Sequence, residues 1–193
     1  MPSTLTRTLR PGRADAVASP RPDTIVRMST PIDPLMRVAY RGAYHLALAW
    51  WFVRRPRTEG TLVGVWRGRE VLLLQNSYKQ AFSLPGGGRN RGESPEETGA
   101  RELREEVGLQ VPASSLRVVC ELHHRDEFKR DSCHFVEMEL DTEPRLVLDQ
   151  REVVWARWID VETALRLPLM PVVRAYLEDA ARRRGLVPSC PSP

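Results

Sequence analysis

One glycine-led, acidic stretch, residues 87–109, constrains the fold of this chain more than any other part of the sequence. It reads GGRNRGESPEETGARELREEVGL and holds six carboxylates in 23 residues. Ser94 precedes a proline, and Glu97 lies where it can complete a capping box, which is typical of a helix start. Gly108 suits a left-handed cap at the other end. The sequence therefore predicts a helix over Pro95–Val107.

The predicted helix has two chemically different faces. Its apolar stripe consists of residues at i, i+3 and i+7: Ala100, Leu103 and Val107. Three glutamates share another face: Glu102, Glu105 and Glu106. Like charges at this spacing repel, so a divalent cation is the natural partner. Because the cluster offers oxygen ligands and no His or Cys, it suits Mg²⁺, with Mn²⁺ as a substitute, rather than zinc.

The spacing of nine residues in this stretch resembles the box of the Nudix hydrolases. These residues are Gly87, Glu93, Arg101, Glu102, Leu103, Glu105, Glu106, Gly108 and Leu109. The resemblance implies an α/β fold with a mixed β-sheet sandwiched between helices, to which this chain would add an N-terminal helix. It also implies a Mg²⁺-dependent pyrophosphohydrolase that cleaves the phosphoric anhydride bond of a nucleoside diphosphate linked to another moiety.

The resemblance further implies roles for individual residues. The implied metal ligands are four carboxylates and one backbone carbonyl. The carboxylates belong to Glu102, Glu105, Glu106 and Glu152, and the carbonyl belongs to Gly87. The implied catalytic residues are Glu102, Glu105 and Arg101. Glu102 is either a ligand or the general base. Glu93 and Arg101 are orienting or structural residues, Arg101 by pairing with a glutamate of the box. Which glutamate is the base stays open.

Substrate contacts are expected next to the box. Arg89 and Arg91 are candidates to contact phosphates. Tyr78 and Phe82 are candidates to stack on a base, although aromatic residues in such positions more often belong to the core or to a rim. A proline that marks ADP-ribose enzymes of the family and a tyrosine that marks diadenosine-polyphosphate enzymes are both missing after the box. The substrate therefore remains unassigned.

Apolar and β-branched runs predict the remaining elements of the domain. Strands are expected at residues 61–66, 71–75, 116–122, 133–140, 146–148 and 153–159. The polar segment 123–131 is expected to join two of them as a surface connection. Two helices should follow at 161–167 and 171–184, and the second should turn these residues inward: Val172, Val173, Tyr176, Leu177 and Ala180.

Residues 33–56 are predicted to form an amphipathic N-terminal helix. Arg37, Arg41 and His45 recur every four residues and make a narrow polar stripe in an otherwise apolar segment. Packing on the catalytic domain or across a homodimer interface is the favoured interpretation. A helix lying in a membrane interface, or spanning a bilayer, is left open but not favoured, because two arginines and a histidine make burial in lipid costly.

Composition and segment boundaries complete the prediction. Residues 1–32 and 188–193 are expected to be flexible tails, residues 57–187 form the Nudix domain, and Met28 is a plausible alternative start. Three cysteines without metal spacing fit a reducing, cytoplasmic location. A net charge of +4 favours anionic substrates and does not by itself indicate a nucleic-acid duplex. The resemblance implies a small nucleotide or diphosphate as the partner. Two alternatives remain: a non-catalytic nucleotide sensor, and a membrane-surface enzyme acting on a lipid-linked diphosphate.

Overall fold

A mixed β-sheet forms the centre of the fold, with helices on both faces. The structure is a computed structural model that describes residues 25–28, 33–54, 57–126 and 129–186. Along the chain the elements are β1 (Ile25–Met28), α1 (Asp33–Arg54), β2 (Arg57–Arg67), β3 (Glu70–Asn76), β4 (Gly86–Gly88), α2 (Pro95–Val107), β5 (Arg117–Asp126), β6 (Lys129–Glu139), β7 (Leu146–Asp149), β8 (Val153–Asp160), α3 (Val161–Ala164) and α4 (Pro171–Arg183).

The sheet is organised around β2. Its strands lie in the order β5-β6-β2-β3-β8, and the glycine strand β4 also pairs with β2. The β2–β6 pair is parallel, whereas β2–β3, β2–β4, β3–β8 and β5–β6 are antiparallel. This mixed sheet, with helices on both faces and an additional N-terminal helix, confirms the predicted fold class.

Two apolar layers hold the helices on the sheet. On one face, Leu103 and Val107 of α2 pack in a cluster with Val63 and Val136 of the sheet. On the other face, α4 buries the five residues that its periodicity predicts, Val172, Val173, Tyr176, Leu177 and Ala180. Complete burial of a side chain of this size contributes about 1.5–3 kcal/mol, so these two layers fix the orientation of both helices.

The caps of α2 form as the sequence predicts. The Ser94 hydroxyl accepts a hydrogen bond from the Glu97 N–H at 3.1 Å, and the Glu97 carboxylate accepts one from the Ser94 N–H at 2.8 Å. Gly108 ends the helix with a φ of 68°. Both ends of the helix are therefore fixed by local interactions, which sets where its glutamates lie along the sheet.

We expect Ser94→Ala to lower the free energy of unfolding by about 1 kcal/mol, because one N–H of the first turn loses its acceptor. Urea denaturation followed by circular dichroism measures this change. Ser94→Asp is the matched control, since it keeps an oxygen in the capping position and should stay close to wild type. Equal destabilisation by both substitutions would contradict the capping role.

A buried carboxylate links the sheet to the end of α4. Glu137 in β6 accepts hydrogen bonds from the Tyr176 hydroxyl at 2.9 Å, from Arg183 at 2.7 Å and from Arg184 at 3.0 Å. Trp66 donates its indole N–H to the same Tyr176 hydroxyl at 3.0 Å. The Glu137 side chain is only 4% exposed. The C-terminal helix is therefore tied to the central strands by a charged network as well as by apolar packing.

Two arginines of the polar stripe anchor helix α1 to the domain. Arg37 donates to the Gln150 carbonyl at 2.9 Å, and Arg41 donates to the Ser77 carbonyl at 3.0 Å. Large apolar residues point outward instead: Leu35, Val38, Leu46 and Trp50. Within the described residues, every helix is too short or too polar to cross a bilayer.

The structure differs from the sequence prediction in three places. Ile25–Met28, expected to lie in a flexible tail, pairs in parallel with β7. The segment 123–131, predicted as a connection, is largely strand, because β5 and β6 continue pairing to Asp126 and Lys129. The helix predicted at 161–167 is a single turn, Val161–Ala164. The rest of the predicted tails, residues 1–24, 29–32 and 188–193, lies outside the described residues.

Candidate active site

The glutamates of α2 meet the glycine strand β4. Glu106 is 5% exposed, and its carboxylate accepts a hydrogen bond from the Gly86 N–H at 2.8 Å. The Asn76 side chain, at the end of β3, also hydrogen-bonds to this carboxylate. A buried carboxylate with few donors is costly to keep ionised unless it is paired, so a bound cation would stabilise its charged form.

Glu102 lies directly against the backbone of the glycine strand. A Cβ added to Gly87 would come within 2.5 Å of the Glu102 Oε1 atom, so any larger residue would push this carboxylate away. The Glu102 side chain is 13% exposed. This explains in steric terms why a glycine stands at position 87 and brings its backbone next to the glutamate.

Arg101 connects several groups of the site by hydrogen bonds. It forms a two-pronged pair with the Glu93 carboxylate at 3.0 and 3.1 Å, and donates to Glu102 at 2.7 Å. It also donates to the Gly88 carbonyl at 2.9 Å and approaches Glu105 at 3.3 Å. One guanidinium thus fixes a structural carboxylate, a site carboxylate and the glycine strand in a common geometry.

A second segment brings a further carboxylate to the cluster. Glu152 lies in the turn before β8, and its Oε1 atom accepts a hydrogen bond from the Tyr78 hydroxyl at 2.8 Å. Its negative charge contributes to raising the pKa of both Glu102 and Glu106. Glu105 is the most open member of the cluster, with half of its side chain exposed.

The pKa values of Glu102 and Glu106 shift in the opposite direction from that of Glu93. Burial raises the pKa of Glu106 well above its ordinary value, against the Gly86 hydrogen bond and together with the charges of Glu102 and Glu152. Burial also raises the pKa of Glu102, although Arg101 opposes it. Hydrogen bonds from Arg101 and then Asn90 hold the pKa of Glu93 far below its usual range. Glu93 is therefore a permanent anion, whereas the buried pair gains from neutralisation.

The donor chemistry of the cluster fits a hard divalent cation. Four glutamates and the backbone of the glycine strand offer only oxygen atoms, as Mg²⁺ and Mn²⁺ prefer. Among the described residues, no three His, Cys, Asp or Glu side chains are arranged to hold an ion as they stand. The oxygens of Glu102 face Arg101 and those of Glu152 face Tyr78. Convergence on one ion would require these side chains to rotate.

A cavity of about 590 Å³ opens beside the glycine strand. Its lining includes Gly86–Gly88, Thr61 and Leu62 of β2, and both members of the Tyr78–Glu152 pair. The glutamates of α2 approach it through the glycine strand, since Glu106 bonds to Gly86 and Glu102 contacts Gly87. The carboxylate cluster therefore stands at the wall of a space large enough for a small organic ligand.

The four residues expected to bind substrate occupy different surroundings. Tyr78 lines the cavity. Arg89 is held by the Glu59 carboxylate and by the Glu93 carbonyl, each at 2.9 Å. Phe82 packs against Trp155, with ring centroids 4.9 Å apart, and Arg91 is exposed. Their contact with a substrate stays a prediction, and Tyr78 has the most direct access to the cavity.

Several cavity residues are absent from the sequence prediction, and two cases are informative. Asn76 contacts Glu106, and a polar residue that ends a buried strand is the signal that could have found it. The second case lies on α1, where Tyr40 and Tyr44 face the cavity. No local pattern in the sequence links that helix to a site formed by residues of the following strands and loops.

Comparison with known proteins identifies the family to which this chain belongs. The model of the NUDIX domain matches residues 56–183. A Mycobacterium tuberculosis protein (strain ATCC 25618 / H37Rv) named "Putative 8-oxo-dGTP diphosphatase 3" is 31% identical over 137 residues, which is 69% of this chain. The match spans 60% of that relative's length.

Solved structures share the fold. The NUDIX domain of Shewanella oneidensis NrtR, complexed with ADP ribose, gives a TM-score of 0.58 at 20% identity, covering 66% of this chain and 88% of that one. A MutT NUDIX hydrolase from Burkholderia pseudomallei gives 0.55 at 22% identity, covering 63% and 96%. Since the family model covers well over half of its residues, the chain belongs to the NUDIX domain family.

Proposed function

We propose that this protein is a Mg²⁺-dependent pyrophosphohydrolase that cleaves a nucleoside diphosphate linked to another moiety. The observation that carries this proposal is that Glu106 and Glu102 contact Gly86 and Gly87 of the glycine strand, which lines the cavity together with Glu152. In the reaction, water adds to one phosphorus and the bridging P–O bond breaks. The products are a nucleoside monophosphate and a phosphorylated remainder.

The proposed ligands of the cation are Glu102, Glu105, Glu106, Glu152 and the Gly87 carbonyl. When bound, a divalent cation neutralises charge on the diphosphate and makes an attacking water more acidic. The protein itself positions the oxygens, because Arg101 orients Glu102 and the Gly86 N–H orients Glu106. The pKa of Glu102 is raised towards neutral pH, which suits a group that accepts a proton from water.

A substrate panel tests this function directly. Nucleoside di- and triphosphates, nucleotide sugars, dinucleotides and isoprenyl diphosphates are incubated with the protein and Mg²⁺, Mn²⁺ or EDTA, and phosphate-containing products are quantified. We expect hydrolysis of at least one nucleotide, dependent on the cation. If no nucleotide on the panel is cleaved with either ion, the proposal fails. Cleavage confined to isoprenyl diphosphates would favour the lipid-linked alternative instead.

We expect Arg101→Lys to reduce kcat by about 10- to 100-fold, because lysine cannot reproduce the two-pronged pair with Glu93 while also holding Glu102. Steady-state kinetics at saturating Mg²⁺ measures the loss. A titration with Mg²⁺ gives a second readout, since misplaced carboxylates should also weaken activation by the ion. Arg182→Lys is the matched control, because Arg182 is exposed and lies on α4, where its ion-pair partner is Asp179. An unchanged kcat for Arg101→Lys would contradict the positioning role.

The non-catalytic sensor is the less favoured alternative. A protein that only binds nucleotides has no need to keep buried, mutually repelling carboxylates such as Glu102 and Glu106. This chain keeps every glutamate of the box. Binding without turnover across the whole panel would be the result expected of a sensor.

A further inference from the structure

Helix α1 contributes one wall of the cavity, although it lies outside the residues that the family model matches. Four of its residues face the cavity at the spacing i, i+3, i+4 and i+7: Tyr40, Ala43, Tyr44 and Ala47. Residues at this spacing share one face of a helix. The cavity is therefore closed on this side by an element that the NUDIX domain itself does not supply.

Two arginines fix the position of this wall. Arg37 holds the Gln150 backbone and side chain, at 2.9 and 3.2 Å. Arg41 holds the Ser77 carbonyl at 3.0 Å. Ser77 in turn bonds to the Glu152 carbonyl through its N–H at 2.7 Å. The helix is thus tied to the two segments that carry Tyr78 and Glu152.

An aromatic pair joins α1 to the carboxylate cluster. The rings of Tyr44 and Tyr78 lie 5.2 Å apart and are tilted by 39°. The Tyr78 hydroxyl donates to Glu152, so the pair stands one hydrogen bond away from the cluster. The Lys79 ammonium lies 5.7 Å from the centre of the Tyr44 ring. Next to Tyr44 on the helix, Ala43 and Ala47 fill little of the cavity.

We propose that α1 forms the wall of the cavity that selects the nucleoside part of the substrate, and that Tyr44 stacks on its nucleobase. This inference rests on the proposed function, which places a diphosphate at the carboxylate cluster. An aromatic face flanked by alanines accepts a flat ring, and such stacking is tolerant of base identity. Lys79 offers a cation to an oxygen of the base or of a phosphate. Residues outside the family domain therefore select the nucleoside part of the substrate.

Binding of reaction products without metal tests this role separately from catalysis. Isothermal titration calorimetry in EDTA compares the four nucleoside 5′-monophosphates with ribose 5-phosphate, which has no base. We expect at least one nucleotide to bind about 10-fold more tightly than ribose 5-phosphate, and Tyr44→Ala to remove that advantage. Equal affinity for nucleotides and ribose 5-phosphate in the wild type would overturn the inference, as would a nucleotide preference that survives in Tyr44→Ala.

Two further substitutions separate stacking from packing. Tyr44→Phe keeps the aromatic face and should retain the nucleotide preference, whereas Tyr44→Leu keeps apolar bulk without that face and should lose it. Leu46→Ala, on the outward side of the same helix, is the matched control and should bind like wild type. Retention of the preference by Tyr44→Leu would contradict stacking. Because no turnover is required, a failure of this test is distinct from a failure of the substrate panel.

Discussion

Glu106→Gln is expected to reduce kcat by at least about 10²-fold while the protein stays folded. Glutamine has nearly the same shape and can still accept the hydrogen bond from the Gly86 N–H, so the local geometry should survive. It loses the negative charge that we assign to cation binding, and removal of one major electrostatic element from an active site commonly costs this much. Steady-state kinetics on any substrate identified by the panel measures the loss.

A matched control and a stability measurement sharpen the test of Glu106. Glu96→Gln makes the same chemical change on the same helix, in its first turn, and should leave kcat unchanged. The pKa of Glu106 is raised in the folded protein, so its protonation favours folding. That contribution is complete below about pH 4.5 and is lost as the pH rises through the folded pKa. Glu106→Gln should therefore be at least as stable as wild type in EDTA at pH 8. Retained activity of Glu106→Gln would refute the assignment of Glu106 to cation binding.

The second large effect concerns stability. Glu137→Ala is expected to lower the free energy of unfolding by about 3 kcal/mol, because it leaves a buried hydroxyl and two guanidinium groups without their shared acceptor. Arg183 and Arg184 retain some access to water, which keeps the cost at the lower end of the range for broken buried pairs. Urea denaturation at pH 7 measures the change.

Glu139→Ala provides the comparison for Glu137. Glu139 pairs with Arg184 at 2.8 Å, but about half of its side chain is exposed, so its loss should cost less than about 1 kcal/mol. Equal costs for the two substitutions would show that the buried network contributes nothing beyond a surface ion pair.

The pH dependence of unfolding gives an independent readout of Glu137. Burial raises its pKa, but hydrogen bonds from Arg183, Arg184 and Tyr176 outweigh burial, and the pKa lies below its ordinary value. A lowered carboxylate pKa contributes stability above about pH 4.5 that is lost as the pH falls through the folded pKa. Wild type should therefore lose stability below about pH 4.5 more steeply than Glu137→Gln. Parallel pH profiles for the two proteins would contradict this.

Local sequence signals are sufficient to predict the central helix α2, but they are not sufficient to predict the elements around it. The sequence predicts Pro95–Val107 to the residue, because Ser94 and Gly108 fix both ends by interactions within a few positions. The strand Ile25–Met28 escapes prediction, since its pairing with β7 joins segments about 120 residues apart and depends on backbone hydrogen bonds. The segment 123–131 is polar, yet it continues a hairpin whose pairing needs no apolar face.

Helix α1 shows a different limit of sequence reasoning. Its residues predict a helix correctly, but amphipathicity suggests that the apolar side packs inward. In the structure, Arg37 and Arg41 donate to the backbone carbonyls of Gln150 and Ser77, whereas several large apolar residues of the helix are exposed. The sequence could thus identify the carboxylates of the site, whose spacing is local. It could not identify Tyr44, whose role depends on which surface the helix meets.

The parallel pairing of β1 with β7 has a consequence for where the chain can be shortened. Within the described residues, β1 is the strand that covers the open edge of β7, which also carries the buried residues Leu146 and Leu148. A chain started at Met28 would lack the first three residues of β1 and leave the backbone N–H and C=O groups of that edge unpaired. An uncovered edge is a template for pairing between molecules. Removal of β1 is therefore expected to expose the edge of β7 that it pairs with.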